Sequence, residues 1–203
     1  MTDTSKQHRA HIDECKWIKL LREGDQYAFE QIYKMYFPRL AQFLYRYVNS
    51  THVAEDLVHN VFYSVWNNHK QIQDVETLRP YLYQACRNQA LKYLRKEHEI
   101  LSQIEILNNF DNSHDHSPDE ILETNDLELA VIKAVKSMPE RRRQIYLMHR
   151  EDGLTYKEIA EILELSVKTV ETQISRSLKY LRDRLSHFIP AAMAVIPLMK
   201  DWY

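Results

Sequence analysis

The sequence predicts an all-α fold, and three observations carry that prediction. Only two glycines, Gly24 and Gly153, occur in 203 residues, so folds that need many tight turns or positive-φ positions are disfavoured. Long stretches are dense in Leu, Glu, Lys, Arg and Gln, which enter helices at little cost. Apolar residues recur at steps of three and four, the helical period. The scarcity of glycine also excludes a Gly-rich phosphate loop or a dinucleotide fingerprint.

The elements follow in order. Trp17, Leu20 and Leu21 give a short apolar face, ended by Gly24, with Asp25 as the next N-cap. Ala28, Phe29, Ile32, Tyr33, Tyr36, Leu40, Phe43, Leu44 and Tyr47 form the next stripe, in which Pro38 is expected to kink or break the helix. A third helix follows Ser50-Thr51, with Val53, Leu57, Val58, Val61, Phe62, Val65 and Trp66 on one face. A fourth spans Thr77 to Lys96, with Leu78, Tyr81, Leu82, Ala85, Leu91 and Leu94 inward. Further on, a helix near Leu127 to Ser137 stops at Met138-Pro139, and another runs from Glu140 to Arg150 with Gly153 as its C′ residue. Thr155 and Glu158 make a capping box for a short helix bearing Ile159, Ala160, Ile162 and Leu163. Ser166 caps a long helix that points Val167, Val170, Ile174, Leu178 and Leu181 inward.

Charge divides the chain into parts. The net charge of −2 argues weakly against a nucleic-acid partner when taken whole. By segment it is +4 over residues 1–96, −10 over 97–128 and +4 over 129–203. The middle block has no Lys or Arg and holds Asn108 to Pro118, a polar stretch that reads as a linker. Two basic helical domains joined by an acidic tether are therefore expected, at 1–98, 99–126 and 127–187, followed by an apolar tail at 188–203. That tail is expected to fold back on the second domain or to meet a partner. Its apolar run, Phe188 to Met199, holds Pro190 and Pro197 and is too short to span a bilayer. No stable membrane insertion is expected. Residues 1–14 are too polar for a signal peptide. Cys15 and Cys86 lack partners at metal-ligand spacing, which fits a reducing cytoplasm. His114-Asp115-His116 offers too few ligands for a metal site, and no nucleophile–base pair or carboxylate set suggests an enzyme. No metal, cofactor, catalytic residue or small-molecule substrate is expected.

The strongest local signal is Thr155 to Arg182. A short capped helix, the turn Glu164-Leu165-Ser166 and a long amphipathic helix fit either a DNA-binding helix-turn-helix or an ordinary helical hairpin. Glu164 stands where a glycine would ease a left-handed turn. The outer face carries Lys168, Glu171, Thr172, Ser175, Arg176 and Lys179.

Gly24-Asp25-Gln26-Tyr27-Ala28-Phe29, Ala54 to Phe62 and Leu78 to Asn88 resemble region two, the promoter-melting domain, of extracytoplasmic-function sigma factors. Pro139 to Arg143 and Gly153 to Ala160 resemble region four of the same sigma-70-like family. The resemblance covers residues 15–98 and 127–185 in the same order. Ser166-Val167-Lys168-Thr169-Val170-Glu171 is similar to the iron-uptake-regulator-like group of Bacteroidetes. The family's partners are core RNA polymerase, promoter DNA and commonly an anti-sigma factor.

The resemblance implies roles for particular residues. Asp56, His59 and Asn60 would meet polymerase. Relatives commonly carry Gln and Glu where His59 and Asn60 stand. Arg87, Asn88, Lys92, Tyr93, Arg95 and Lys96 would bind the −10 element, combining phosphate-holding cations with groups that receive an unpaired base. The segment His69 to Glu76 would form the loop that helps select a flipped base. Tyr81 and Trp66 are read as core. Thr155, Tyr156 and Lys157 sit at a helix N-terminus suited to a phosphate. With Lys168, Thr172, Ser175, Arg176 and Lys179 they would bind the −35 element. Glu171 accepts from a cytosine amino group or pairs within the helix with Arg176, the latter being preferred. Arg141-Arg142-Arg143 either touches DNA or polymerase or is a solvated face. The function implied is a bacterial initiation factor that directs polymerase to promoters. The alternative is a dimeric helix-turn-helix regulator of operator DNA.

Overall fold

The computed structural model describes residues 14–73, 75–107 and 126–186. All regular structure among them is helical: α1 over 14–22, α2 Gln26–Val48, α3 Thr51–Asn67, α4 Arg79–Leu107, α5 Asp126–Lys136, α6 Glu140–Arg150, α7 Tyr156–Leu163 and α8 Val167–Arg184. A 3-10 turn, His69–Gln71, follows α3. The chain divides into two compact units, Met1–Asp111 and Asn112–Tyr203. The Asn108–Pro118 stretch, the His114-Asp115-His116 triplet and the apolar tail lie outside the described residues. Helix α4 runs on to Leu107, into the segment that the charge pattern gives to the tether.

In the first unit, α2 packs along α3 and α4 lies against both. Local chemistry sets the helix boundaries. The Asp25 carboxylate accepts from the Ala28 N–H at 2.7 Å and starts α2. Asn49 closes it in the left-handed region (φ 50), which its short polar side chain tolerates. Ser50 then caps α3 through the Val53 N–H. The core is made of Ile32, Leu40, Phe43 and Leu44 from α2, Val58, Val61, Phe62 and Val65 from α3, and Leu78, Leu82, Tyr83, Cys86 and Ala90 at and within α4. Each large side chain buried here contributes about 1.5–3 kcal/mol.

Helix α2 runs unbroken through Pro38. The hydrogen bond that proline removes would have ended on the carbonyl of Lys34, and both Lys34 and Pro38 are exposed residues. In α1 the fully buried residues are Ile18 and Leu21, while Trp17 and Leu20 are only half-buried. Tyr81 is 47% exposed and not core. Its place is taken by Tyr83, whose ring meets Phe43 edge-on at 5.0 Å. Leu78 and Leu82 are buried as expected, and the seam continues through Cys86 and Ala90, while Ala85, Leu91 and Leu94 are only half-buried. Trp66 is half-buried, packed on Phe29 at 5.1 Å and on His69 at 5.5 Å.

In the second unit, α8 packs against α5, α6 and α7, and α6 against α7. Ala134, Met138, Tyr146 and Leu181 form one cluster, with Val135, Leu147, Leu178, Tyr180 and Leu185 beside it. Helix α6 ends at its C-cap Glu151, so Gly153 (φ 64) lies beyond C′, and it serves the turn into α7. The buried stripe of α8 is Val170, Ile174, Ser177 and Leu181. Val167, expected inward, is 47% exposed at the first residue of α8, so the buried stripe begins at Val170. Ser177 fits the seam because it is small and its hydroxyl donates to the Gln173 carbonyl at 2.8 Å.

Candidate nucleic-acid interface

Helices α7 and α8 are joined by a turn whose geometry the caps fix. The Thr155 hydroxyl accepts from the Glu158 N–H, and the Glu158 carboxylate accepts from the Thr155 N–H at 2.7 Å. Glu164 closes α7 in the left-handed region (φ 55), the conformation expected at that position. The Leu165 N–H returns to the Ala160 carbonyl at 2.8 Å. Ala160 is buried, and its small side chain lets α8 approach. Ser166 then accepts from the Thr169 N–H at 3.0 Å and starts α8.

This places Lys168, Glu171, Thr172, Ser175, Arg176 and Lys179 along one shallow groove on the outside of α8. All five residues expected from this helix for the −35 element line it. Glu171 pairs with Lys168 at 3.0 Å, one turn back, and not with Arg176 as expected. The Thr172 hydroxyl donates to the Lys168 carbonyl at 2.8 Å. At the start of α7 the picture differs. The Thr155 N–H and hydroxyl are taken up in the capping box, Tyr156 is half-buried with its ring 4.9 Å from His149, and Lys157 is an exposed cation.

The arginine run is partly internal. Arg143 donates to the Lys136 carbonyl at 2.7 Å and so satisfies the end of α5. Arg142 reaches the Gln173 side chain at 3.5 Å. Arg141 is exposed.

On α4, Asn88, Lys92, Arg95 and Lys96 are exposed, whereas Arg87 and Tyr93 are half-buried. Asn88, Lys92 and Arg95 fall at steps of four and three, and Tyr81 lies seven residues before Asn88, on the same face. In the sequence Tyr81 reads as core in preference to a strand contact. Its signal was its register with the cations, which is independent of its apolarity.

On α3, Asp56 and Asn60 share the outer face one turn apart, with His52 3.7 Å from the Asp56 carboxylate. His59 is drawn towards α2. Its Nε2 lies 3.0 Å from the Tyr33 hydroxyl, and its ring stacks on Phe37 at 5.1 Å. Tyr63, 70% exposed and three residues after Asn60, continues the outer face and was not singled out from the sequence. Among the described residues, no three or more His, Cys, Asp or Glu side chains converge as a metal site, and no helix is long and apolar enough to cross a membrane.

Comparison with known proteins connects both units to one family. Residues 32–99 match the family model of sigma-70 region 2, and residues 128–181 match that of sigma-70, region 4. The chain is 26% identical to the ECF RNA polymerase sigma factor SigW of Bacillus subtilis, over 84% of this chain and 95% of that protein. It is likewise 26% identical to the ECF RNA polymerase sigma-E factor of Escherichia coli K12, over 85% of this chain and 94% of that one. Its fold is similar to that of CnrH solved with the cytosolic domain of CnrY, with TM-score 0.59, 18% identity, and 86% of this chain and 98% of that chain covered. The sigma factor RpoE of Bartonella quintana, solved with the anti-sigma factor NepR, gives TM-score 0.57 at 20% identity, covering 78% and 96%. With regions 2 and 4 matched in chain order, and with ECF relatives matched along nearly their whole length, the chain belongs to the sigma-70 family as an ECF RNA polymerase sigma factor.

Proposed function

We propose that this protein binds core RNA polymerase and directs it to promoters, with the α8 groove reading the −35 element and the outer face of α4 engaging the −10 element. The observation that carries the reading is the groove itself. Lys168, Thr172, Ser175, Arg176 and Lys179 line one surface on the second helix of a helix-turn-helix, the size of element that enters a major groove. Lys157 at the start of α7 supplies a phosphate contact from the neighbouring helix.

In the first unit, Asn88, Lys92, Arg95 and Lys96 hold the strand by phosphate and amide contacts, and the exposed Tyr81 ring adds a stacking surface. Capture of an unpaired base repays the few kcal/mol of unstacking that melting costs. The segment after α3, from His69 to Glu76, takes part in selecting that base. Asp56, Asn60 and the exposed Tyr63 face polymerase, with His59 at the edge of the same surface. The acidic segment 99–126 acts as the tether between the domains 1–98 and 127–187, with 188–203 as a tail.

The protein is not an enzyme in this reading, since the polymerase supplies the catalytic chemistry. It acts in the cytoplasm, at the nucleoid. RpoE of Bartonella quintana binds an anti-sigma factor, and we assign this chain a partner of the same kind. The narrower placement in the iron-uptake-regulator-like group rests on the Ser166 to Glu171 sequence. A dimeric operator-binding regulator is not favoured, because the first unit matches sigma-70 region 2. Gel retardation on promoter DNA tests the proposal. Binding that requires added core polymerase is expected, whereas tight binding by the protein alone to a palindromic site contradicts it.

A further inference from the structure

We propose that the Lys168–Glu171 ion pair reads a single G·C base pair in the upstream promoter element. The inference rests on the reading of α8 as the −35 helix and adds a base identity to it.

A carboxylate is out of place on a surface that meets a polyanion, because phosphates repel it. Glu171 nevertheless lines the groove, alongside Lys168, Arg176 and Lys179. It lies in the first turns of α8, the part of a recognition helix that reaches base edges. Beyond its helix partner Lys168, a carboxylate there finds hydrogen only on a base, and in the major groove those donors are the amino groups of cytosine and adenine.

The ion pair decides between them. Lys168 Nζ and Glu171 Oε2 lie 3.0 Å apart, on side chains that are 81% and 51% exposed. Across a G·C pair, cytosine N4 and guanine O6 are themselves joined by a hydrogen bond of about 2.9 Å. The protein pair therefore presents an acceptor and a donor at the spacing at which a base pair presents a donor and an acceptor; adenine N6 and thymine O4 share that spacing, so the groups beside them make the choice. Glu171 accepts from cytosine N4 while Lys168 donates to guanine O6 and N7. An A·T pair fits poorly. Adenine N7 sets a lone pair beside N6, facing the carboxylate, and the thymine methyl crowds the ammonium beside O4. Thr172 does not compete for this role, because its hydroxyl donates inward to the Lys168 carbonyl.

The test uses the full-length protein with core polymerase and a promoter library randomised through the upstream element. Transcripts or bound DNA are sequenced. The wild type is expected to enrich one G·C pair, in one orientation, by about fivefold or more. Glu171→Ala should lose that preference while keeping the preferences at other positions, which also shows that α8 is folded. Glu171→Gln should move it towards A·T, since an amide reads adenine. An unchanged G·C preference in Glu171→Ala overturns the proposal, as does an adenine preference in the wild type that Glu171→Ala abolishes. A wild-type holoenzyme indifferent to the whole upstream element overturns the reading of α8 itself, and the proposal with it.

Discussion

The Glu14 carboxylate accepts a hydrogen bond from the backbone N–H of Leu78 at 2.9 Å, across 64 residues of sequence. The same oxygen accepts from the Tyr36 hydroxyl at 2.6 Å and the Thr77 hydroxyl at 2.9 Å. Glu14 is only 5% exposed. A carboxylate so buried is stable only with such partners. Through them α1 caps the start of α4 and fixes where the His69–Glu76 segment ends. Cys15 adds a further tie, its thiol donating to the Glu76 carbonyl at 3.2 Å.

Glu14→Ala is expected to destabilise the first unit by about 3 kcal/mol, because it strips three donors of their acceptor at once. Glu14→Gln keeps one acceptor oxygen and should cost about half as much. Urea denaturation of the full chain, followed by hydrogen exchange at the start of α4, checks both. Equal stability of Glu14→Ala and wild type would show that the cap contributes nothing.

The first unit should also lose stability in alkali. Burial pushes the Cys86 thiol well above its ordinary 9.0, and burial followed by the Glu14 charge pushes the Tyr36 phenol well above its ordinary 10.0. Both groups are held neutral by folding. Their contribution is complete below the ordinary values and is lost as pH rises from there towards the folded values. Denaturation midpoints should therefore fall from about pH 9 upward, and Cys86→Ala should show a shallower fall, because one of the two groups is gone. A flat profile up to pH 11 would contradict this.

Glu164 holds φ 55, a conformation glycine adopts without penalty. Glu164→Gly is expected to stabilise the second unit by about 0.5–1 kcal/mol, the relief of left-handed strain less the extra freedom of the unfolded chain. Thr155→Ala should do the reverse by about 1 kcal/mol through loss of the capping box. Thermal unfolding of the single variants measures both.

This turn was readable in the sequence because its chemistry is local. Caps act over three or four residues, so Asp25, Ser50, Thr155 and Ser166 all appear in the sequence where they act in the structure. The outer face of α8 was legible for the same reason, and the two-part architecture was legible from the charge blocks. Long-range contacts were not. Glu14 carries no sign that Tyr36, Thr77 and Leu78 will surround it. Tyr81 and Tyr83 are equally apolar, and only the packing of α4 on Phe43 decides that Tyr83 goes in and Tyr81 out. Pro38 reads as a breaker because sequence does not show that it falls on the exposed side of α2. Ser177 was overlooked because a polar residue in a buried stripe is acceptable only once its own helix takes its hydroxyl.

The two tyrosines separate function from stability. Tyr81→Ala removes an exposed ring and should leave stability within about 0.5 kcal/mol, while weakening promoter opening as read by permanganate reactivity of unpaired thymines. Tyr83→Ala removes a buried ring and should cost about 3–5 kcal/mol. Undiminished thymine reactivity in Tyr81→Ala would remove this ring from strand capture.

The most direct measurement is run-off transcription with purified core polymerase on candidate promoters, comparing wild type with Arg176→Ala. A promoter-dependent transcript that requires this protein is expected, with altered selectivity at the −35 element in the variant. No promoter-dependent transcript from the wild type, together with no co-purification with core, would contradict it.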